Sequence, residues 1–221
     1  MEIREVTSLA EGLAAQAKDL YERSFPPEER NGFDEMIASL GGPPEADGRP
    51  RLIIAVRDDA LLGLSFFKYY SEPEFGYLWY ICVDLETRGS GVGTKLYQDS
   101  VAALTQAARE SGRRIKGMIF EVERLDSQAH PVIGDPIRRV KFYERLGARL
   151  ILGYDYWQPP KPPHGPVPLQ LMFHPLDLPA SECASPALAR IITDFLHFAQ
   201  DTRVTVDPEG LSLGHLDAAT R

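Results

Sequence analysis

The sequence predicts a mixed α/β (α+β) domain: one central sheet with helices packed on it. Three observations carry that expectation. A helical period fills the first thirty residues, short branched and aromatic runs take over from Leu52, and a glycine-rich turn at 88–93 joins such a run to a second helical stretch.

Taken in order, Leu9, Leu13, Ala17, Leu20 and Phe25 fall on or near one face, predicting a helix over Ser8–Arg30. Ser8 with Glu11 three residues later forms a capping box, and Pro26-Pro27 ends the helix. A short helix over Phe33–Leu40 precedes a loop marked by Gly41-Gly42-Pro43-Pro44 and Asp47-Gly48. Leu52–Val56, Leu61–Tyr70 and Phe75–Val83 read as strands, the first two joined at Asp58-Asp59. Gly93–Ser111 reads as a helix with Leu96, Val101, Leu104 and Ala108 inward, followed by a strand over Gly117–Glu123. Ile137–Leu146 is a helix capped by Gly147; Arg149–Tyr156 and Pro168–Phe173 are closing strands around a proline-rich loop. A domain boundary is expected near residue 176, separating residues 1–175 from an extension (176–221) with one helix, Ser185–Gln200, and a polar end.

Bulk properties narrow the function. With 221 residues, 43% hydrophobic and 25% charged, the chain suits a globular domain rather than a disordered or fibrous one. A net charge of -8 argues against sequence-independent grip on nucleic acid, which draws on clustered Lys and Arg. No apolar run is long enough for a bilayer, and Met1-Glu2-Ile3-Arg4-Glu5 lacks a secretory apolar segment, so a cytoplasmic protein without a membrane partner is expected. Cys82 and Cys183 fit no metal spacing, no histidine cluster stands beside them, and no metal is expected.

The turn Arg88-Gly89-Ser90-Gly91-Val92-Gly93-Thr94 is built for close backbone approach. It is not a P-loop, because Thr94-Lys95 follows Gly93 in the wrong order and no glycine stands five residues before Gly93. It is not a dinucleotide fingerprint, because positions 94 and 96 hold Thr and Leu where that pattern requires Gly. What remains is Arg88-x-x-Gly91-x-Gly93, after a strand and opening a helix, where free N–H groups and the positive helix end would seat a pyrophosphate. This pattern resembles the pyrophosphate signature of the GNAT superfamily of acyl-CoA-dependent N-acyltransferases. Lys141-Phe142-Tyr143-Glu144-Arg145-Leu146-Gly147-Ala148 resembles that superfamily's second signature, and Arg23–Arg30 resembles the end of its first helix. The likeness spans about residues 1–175.

The resemblance implies the GNAT fold, a mixed and mostly antiparallel sheet splayed between two strands and flanked by helices. It implies acetyl-CoA as co-substrate, held by Cys82, Val83, Arg88, Gly89, Ser90, Gly91, Val92, Gly93, Thr94 and Tyr143, with Val83 giving the N–H nearest the acyl carbonyl. Tyr143 is the expected acid for the departing thiolate, since a phenol stays protonated at neutral pH. The amine must lose a proton, and Glu121 and Glu123 share one face of their strand, so both are base candidates, Glu121 ahead. The competing reading of that pair is solvation or ion pairing with Arg113, Arg114 or Arg138. His130 is a loop histidine and a weaker base candidate, and Trp79 and Tyr80 flank the acceptor region. The acceptor expected is a small-molecule or peptide amine, and the resemblance leaves a homodimer open. A silent acyl-CoA-binding module and a transferase for longer acyl chains stand as alternatives.

Overall fold

The computed structural model describes residues 1–40, 50–126, 135–178 and 183–216. The predicted 41–48 loop and His130 lie outside them. The elements are β1 (Glu2–Val6), α1 (Glu11–Ser24), α2 (Phe33–Ser39), β2 (Pro50–Arg57), β3 (Ala60–Tyr70), β4 (Phe75–Val83) and α3 (Val92–Glu110). They continue with β5 (Gly117–Glu123), α4 (Pro136–Arg145), β6 (Arg149–Leu152), β7 (Tyr156–Gln158), β8 (Val167–Pro175), α5 (Ser185–Gln200) and β9 (Ser212–Gly214). Short 3₁₀ turns occupy Pro27–Glu29 and Leu85–Thr87.

The sheet runs β1-β2-β3-β4-β5-β8-β6-β9, with β7 on β8. Every neighbouring pair is antiparallel except β4 and β5. That parallel pair is registered only at Phe75↔Gly117, Gly76↔Met118 and Tyr77↔Ile119, so beyond Tyr77 the two strands part. Just past the parting, Trp79 is an extra residue on β4: Phe66 pairs with Tyr80 and Phe67 with Leu78. Such a bulge bends its strand and increases the local twist.

Helices cover both faces. On one, α3 and α4 bury Leu96, Leu104 and Val140 against Phe67, Leu78 and Phe120. On the other, α1 and α2 cover Ile54, Leu64 and Phe66 of β2 and β3, while α5 covers Ile119, Leu171 and Phe173 of β5 and β8. The chain beyond residue 176 therefore packs back on the sheet through α5 and adds β9 to it.

Strands β4 and β5 and helix α5 coincide with the expected bounds. Three expectations need correction. The helix predicted from Ser8 starts at Glu11, with Ala10 as N-cap and no side-chain cap bond, so the Ser8–Glu11 capping box does not form. The helix also stops at Ser24, because Phe25 and Pro26 are already extended. The strand expected over 149–156 is broken at Gly153, whose φ of +83° turns the chain and where a Cβ would lie 2.3 Å from the Gly210 carbonyl oxygen. Strands β1 and β9, both short and at the sheet's edges, escaped the sequence pattern.

Candidate active site

The parted strands open a cleft of about 650 Å³ between the facing stretches of β4 and β5, roofed at one end by α4. Asp84 N–H donates to the Leu62 carbonyl (2.9 Å), which fixes the alternation along β4. In an antiparallel ladder successive residues point their amides to opposite sides, so Cys82 and Asp84 address β3 while Ile81 and Val83 address the gap. Among the described residues no strand pairs with that side of β4 beyond Tyr77. The cleft thus presents an open strand edge, on which an extended chain could lie and to whose free N–H groups a developing oxyanion could bond.

The glycine turn caps this edge. Asp84 anchors it, accepting from Glu86 N (2.9 Å) and pairing with Arg23 at 2.5 Å. The Arg23 guanidinium holds the Asp84 carboxyl below its ordinary pKa, as does the Glu86 amide. Gly89 and Gly91 have φ of +82° and +87°, a region that L side chains avoid, with nothing within 4 Å of an added Cβ. Gly93 instead passes close to Val83 and Phe142, its would-be Cβ 3.4 Å from the Val83 side chain. The first α3 bond is Lys95 N–H to the Gly91 carbonyl (3.0 Å), leaving the amides of Val92, Gly93 and Thr94 without a partner among the described residues at the positive helix end. Arg88 lines the cleft together with Arg138, Arg139 and Arg145 of α4. Burial lowers the Arg88 pKa, and Arg139 adds to that.

Most of the residues expected at the cofactor line the cleft. Ser90 and Val92 do not: the Ser90 hydroxyl turns back to the Thr87 carbonyl (2.5 Å), and Val92 is buried in the core beneath the turn. Cys82 contributes backbone only; burial pushes its thiol up to about 12, leaving it an inert core residue. Tyr143 is 6% exposed, with its ring centroid 4.6 Å from that of Phe120, and no described residue hydrogen-bonds its hydroxyl. Burial raises it to about 12, so it is a neutral phenol across the physiological range.

At the other end the carboxylates gather. Glu121 accepts from the Tyr77 hydroxyl (2.6 Å), the Tyr156 hydroxyl (2.5 Å), and the side-chain amides of Gln158 and Gln200 (3.2 Å each). Glu123 pairs with Arg139 at 2.6 Å, one position along from the expected Arg138. Beside them stands Glu29, which lies in the Arg23–Arg30 stretch that resembles the family but to which the sequence reading gave no role; burial raises its pKa to about 7, and Glu123 adds to the shift. Tyr80, expected to flank the acceptor region, supports this end: its hydroxyl donates to the Glu29 carbonyl (2.9 Å) and accepts from Asn31 N (2.9 Å). Trp79 also lines the cleft. Among the described residues no helix is long and apolar enough to cross a membrane, and no cluster of His, Cys, Asp or Glu could hold a metal ion.

A sequence profile of the acetyltransferase (GNAT) family matches residues 14–148, more than half of the chain. No curated protein sequence matches. Among solved structures, a protein from Bacteroides thetaiotaomicron assigned to the GNAT family superposes with a TM-score of 0.63 at 21% identity, covering 92% of this chain and all of that one. An aminoglycoside 6'-N-acetyltransferase complexed with coenzyme A gives 0.57 at 19% identity, with 81% and 99% covered. The ribosomal-protein-S18-alanine N-acetyltransferase from Escherichia coli gives 0.52 at 14%, with 81% and 97% covered. The chain belongs to the GNAT acetyltransferase family, as an acyl-CoA-dependent N-acyltransferase.

Proposed function

We propose that this protein transfers the acetyl group of acetyl-CoA to a primary amine by direct attack, within the cleft between β4 and β5. The observation that carries the reading is the continuity of three features along one groove: an anion seat, an open strand edge and an acidic end. The free amides at the start of α3 and Arg88 suit a pyrophosphate, whose charge they offset. Bound acetyl-CoA supplies an activated acyl group; the remaining work falls to the chain.

The amides of Ile81 and Val83 are aimed at the gap before any substrate arrives, so they can stabilise charge developing on the acyl oxygen without reorganising. Tyr143 offers its free hydroxyl to the departing sulfur. Held up to about 12, it is a weaker acid than a thiol, so it serves by hydrogen-bonding the thiolate while the proton set free at the attacking nitrogen restores the balance. Glu121 and Glu123 give the acceptor end its negative charge, which draws in an ammonium.

Thiol release from acetyl-CoA, followed across a panel of amines, tests the transfer. Turnover with a primary amine and none without it is the expected result; thiol release that ignores every amine sinks the reading. Tyr143→Phe should lower kcat about 10²-fold while leaving KM for acetyl-CoA nearly unchanged. An unchanged kcat removes Tyr143 from the chemistry.

A further inference from the structure

An alkylammonium has no lone pair, so some group in the cleft must take a proton before the nitrogen can attack. Three carboxylates line the acceptor end, and their surroundings differ. Glu121 accepts four hydrogen bonds from neutral donors, and a proton on either oxygen would displace one of them. Glu123 is bound to Arg139, and its second oxygen is sealed from solvent. Glu29 alone of the three makes no hydrogen bond or ion pair through its carboxyl with any described residue, while its backbone is pinned. The Glu29 carbonyl accepts from the Tyr80 hydroxyl (2.9 Å) and from Lys161 Nζ (2.7 Å). Its carboxyl is thus free for a ligand on a segment that does not need to move.

We propose that Glu29 is the group that takes the proton from the acceptor's ammonium in the cleft. This rests on the reading of the protein as an amine acetyltransferase. The N–H bond breaks, the proton passes to a Glu29 carboxyl oxygen, and the electron pair stays on nitrogen for attack. The charged neighbours suit that task. Burial disfavours a negative charge on it, as do Glu123 and Glu121 from β5 and Glu28 beside it, whereas Arg139 from α4 favours one. Lys161, from the loop between β7 and β8, spends its ammonium on the Glu29 carbonyl and Tyr80 hydroxyl rather than on the carboxyl, and Arg30 turns away to the Glu22 carbonyl (3.0 Å). Held at about 7, Glu29 is ionised enough to accept a proton near neutral pH and basic enough to keep it.

The test is the pH profile of kcat/KM for an amine, measured by thiol release with a polyamine, an aminoglycoside and an alanyl peptide as probes. In the wild type the acid limb should bend near pH 7. In Glu29→Gln the rate at pH 7 should fall about 10²-fold, that bend should vanish, and the deficit should shrink as alkaline pH supplies free amine. KM for acetyl-CoA should not move, and Glu29→Asp should restore part of the rate with a bend at shifted pH. Wild-type turnover with an unaltered profile in Glu29→Gln overturns Glu29's role and leaves the transfer standing. No thiol release by the wild type with any of the amines overturns the transfer and Glu29's role together.

Discussion

Burial sets His174 and Glu29 against each other in their response to pH. The His174 ring lies nearly parallel to Tyr97 (5°, centroids 5.7 Å apart), with its Nδ1 2.9 Å from the tyrosine hydroxyl. Burial lowers its pKa, helped by the charge of Arg149. Below the unfolded value of about 6.5 the unfolded chain takes a proton that folded His174 resists, so this residue costs stability as the pH falls through that point. Glu29 is raised to about 7, so between its unfolded value and 7 the folded chain holds the extra proton. Its contribution is present at low pH and lost as pH rises towards 7. Urea denaturation should therefore show His174→Asn losing less stability than wild type between pH 7.5 and 5. Glu29→Gln should be no less stable than wild type at pH 8, where the variant is relieved of a crowded charge. A Glu29→Gln protein that unfolds more easily there would contradict the electrostatics at the acidic end. Neither side chain had a role legible in the sequence: one lies in a strand of ordinary composition, the other in the Arg23–Arg30 stretch, where the family resemblance marked the run and not this carboxyl. Their environments are made by partners such as Tyr97 and Glu123, far away along the chain.

At the scale of elements, local chemistry was readable and nonlocal pairing was not. The Arg88–Gly93 turn could be read because backbone conformation demands glycine where φ is positive, and the following helix declares itself by its apolar period. The face shared by Glu121 and Glu123 followed from strand alternation alone. The parting of β4 from β5, which makes the cleft, was expected only through the family resemblance: it depends on where a parallel pairing across more than thirty residues stops, and no local pattern encodes that. The same holds for β1 and β9, each short and fixed by its partner. Gly91→Ala isolates the turn from everything else. With open space around a Cβ there, its cost is the left-handed backbone itself, about 1–2 kcal/mol. Either the chain bears that strain or the turn relaxes and misdirects the helix-end amides. Calorimetry should accordingly show weaker acetyl-CoA binding, with a modest drop in melting temperature. Unchanged affinity would mean that those amides do not hold the pyrophosphate.

Across the whole molecule, the C-terminal extension belongs to the architecture of the site. Helix α5 buries Leu188, Ile191, Ile192, Phe195 and Leu196 against residues including Tyr77, Ile119 and Tyr156. At about 1.5–3 kcal/mol for each large side chain, five of them approach the 5–15 kcal/mol by which a domain is stable at all. Its last residue, Gln200, donates to both the Tyr77 hydroxyl (3.1 Å) and Glu121 (3.2 Å), so the helix braces the acidic end from outside the span matched by the family profile. Two losses can then be told apart. Phe195→Ala removes a fully buried ring and should cost about 3–5 kcal/mol, enough to bring the protein close to unfolding. Gln200→Leu keeps the apolar packing and deletes only the two donors, so the fold should survive with a small change in melting temperature. Glu121 would then be held by three donors instead of four, and KM for the amine should rise several-fold while KM for acetyl-CoA stays put. A Gln200→Leu enzyme with wild-type constants for both substrates would reduce α5 to a purely structural cover over the sheet.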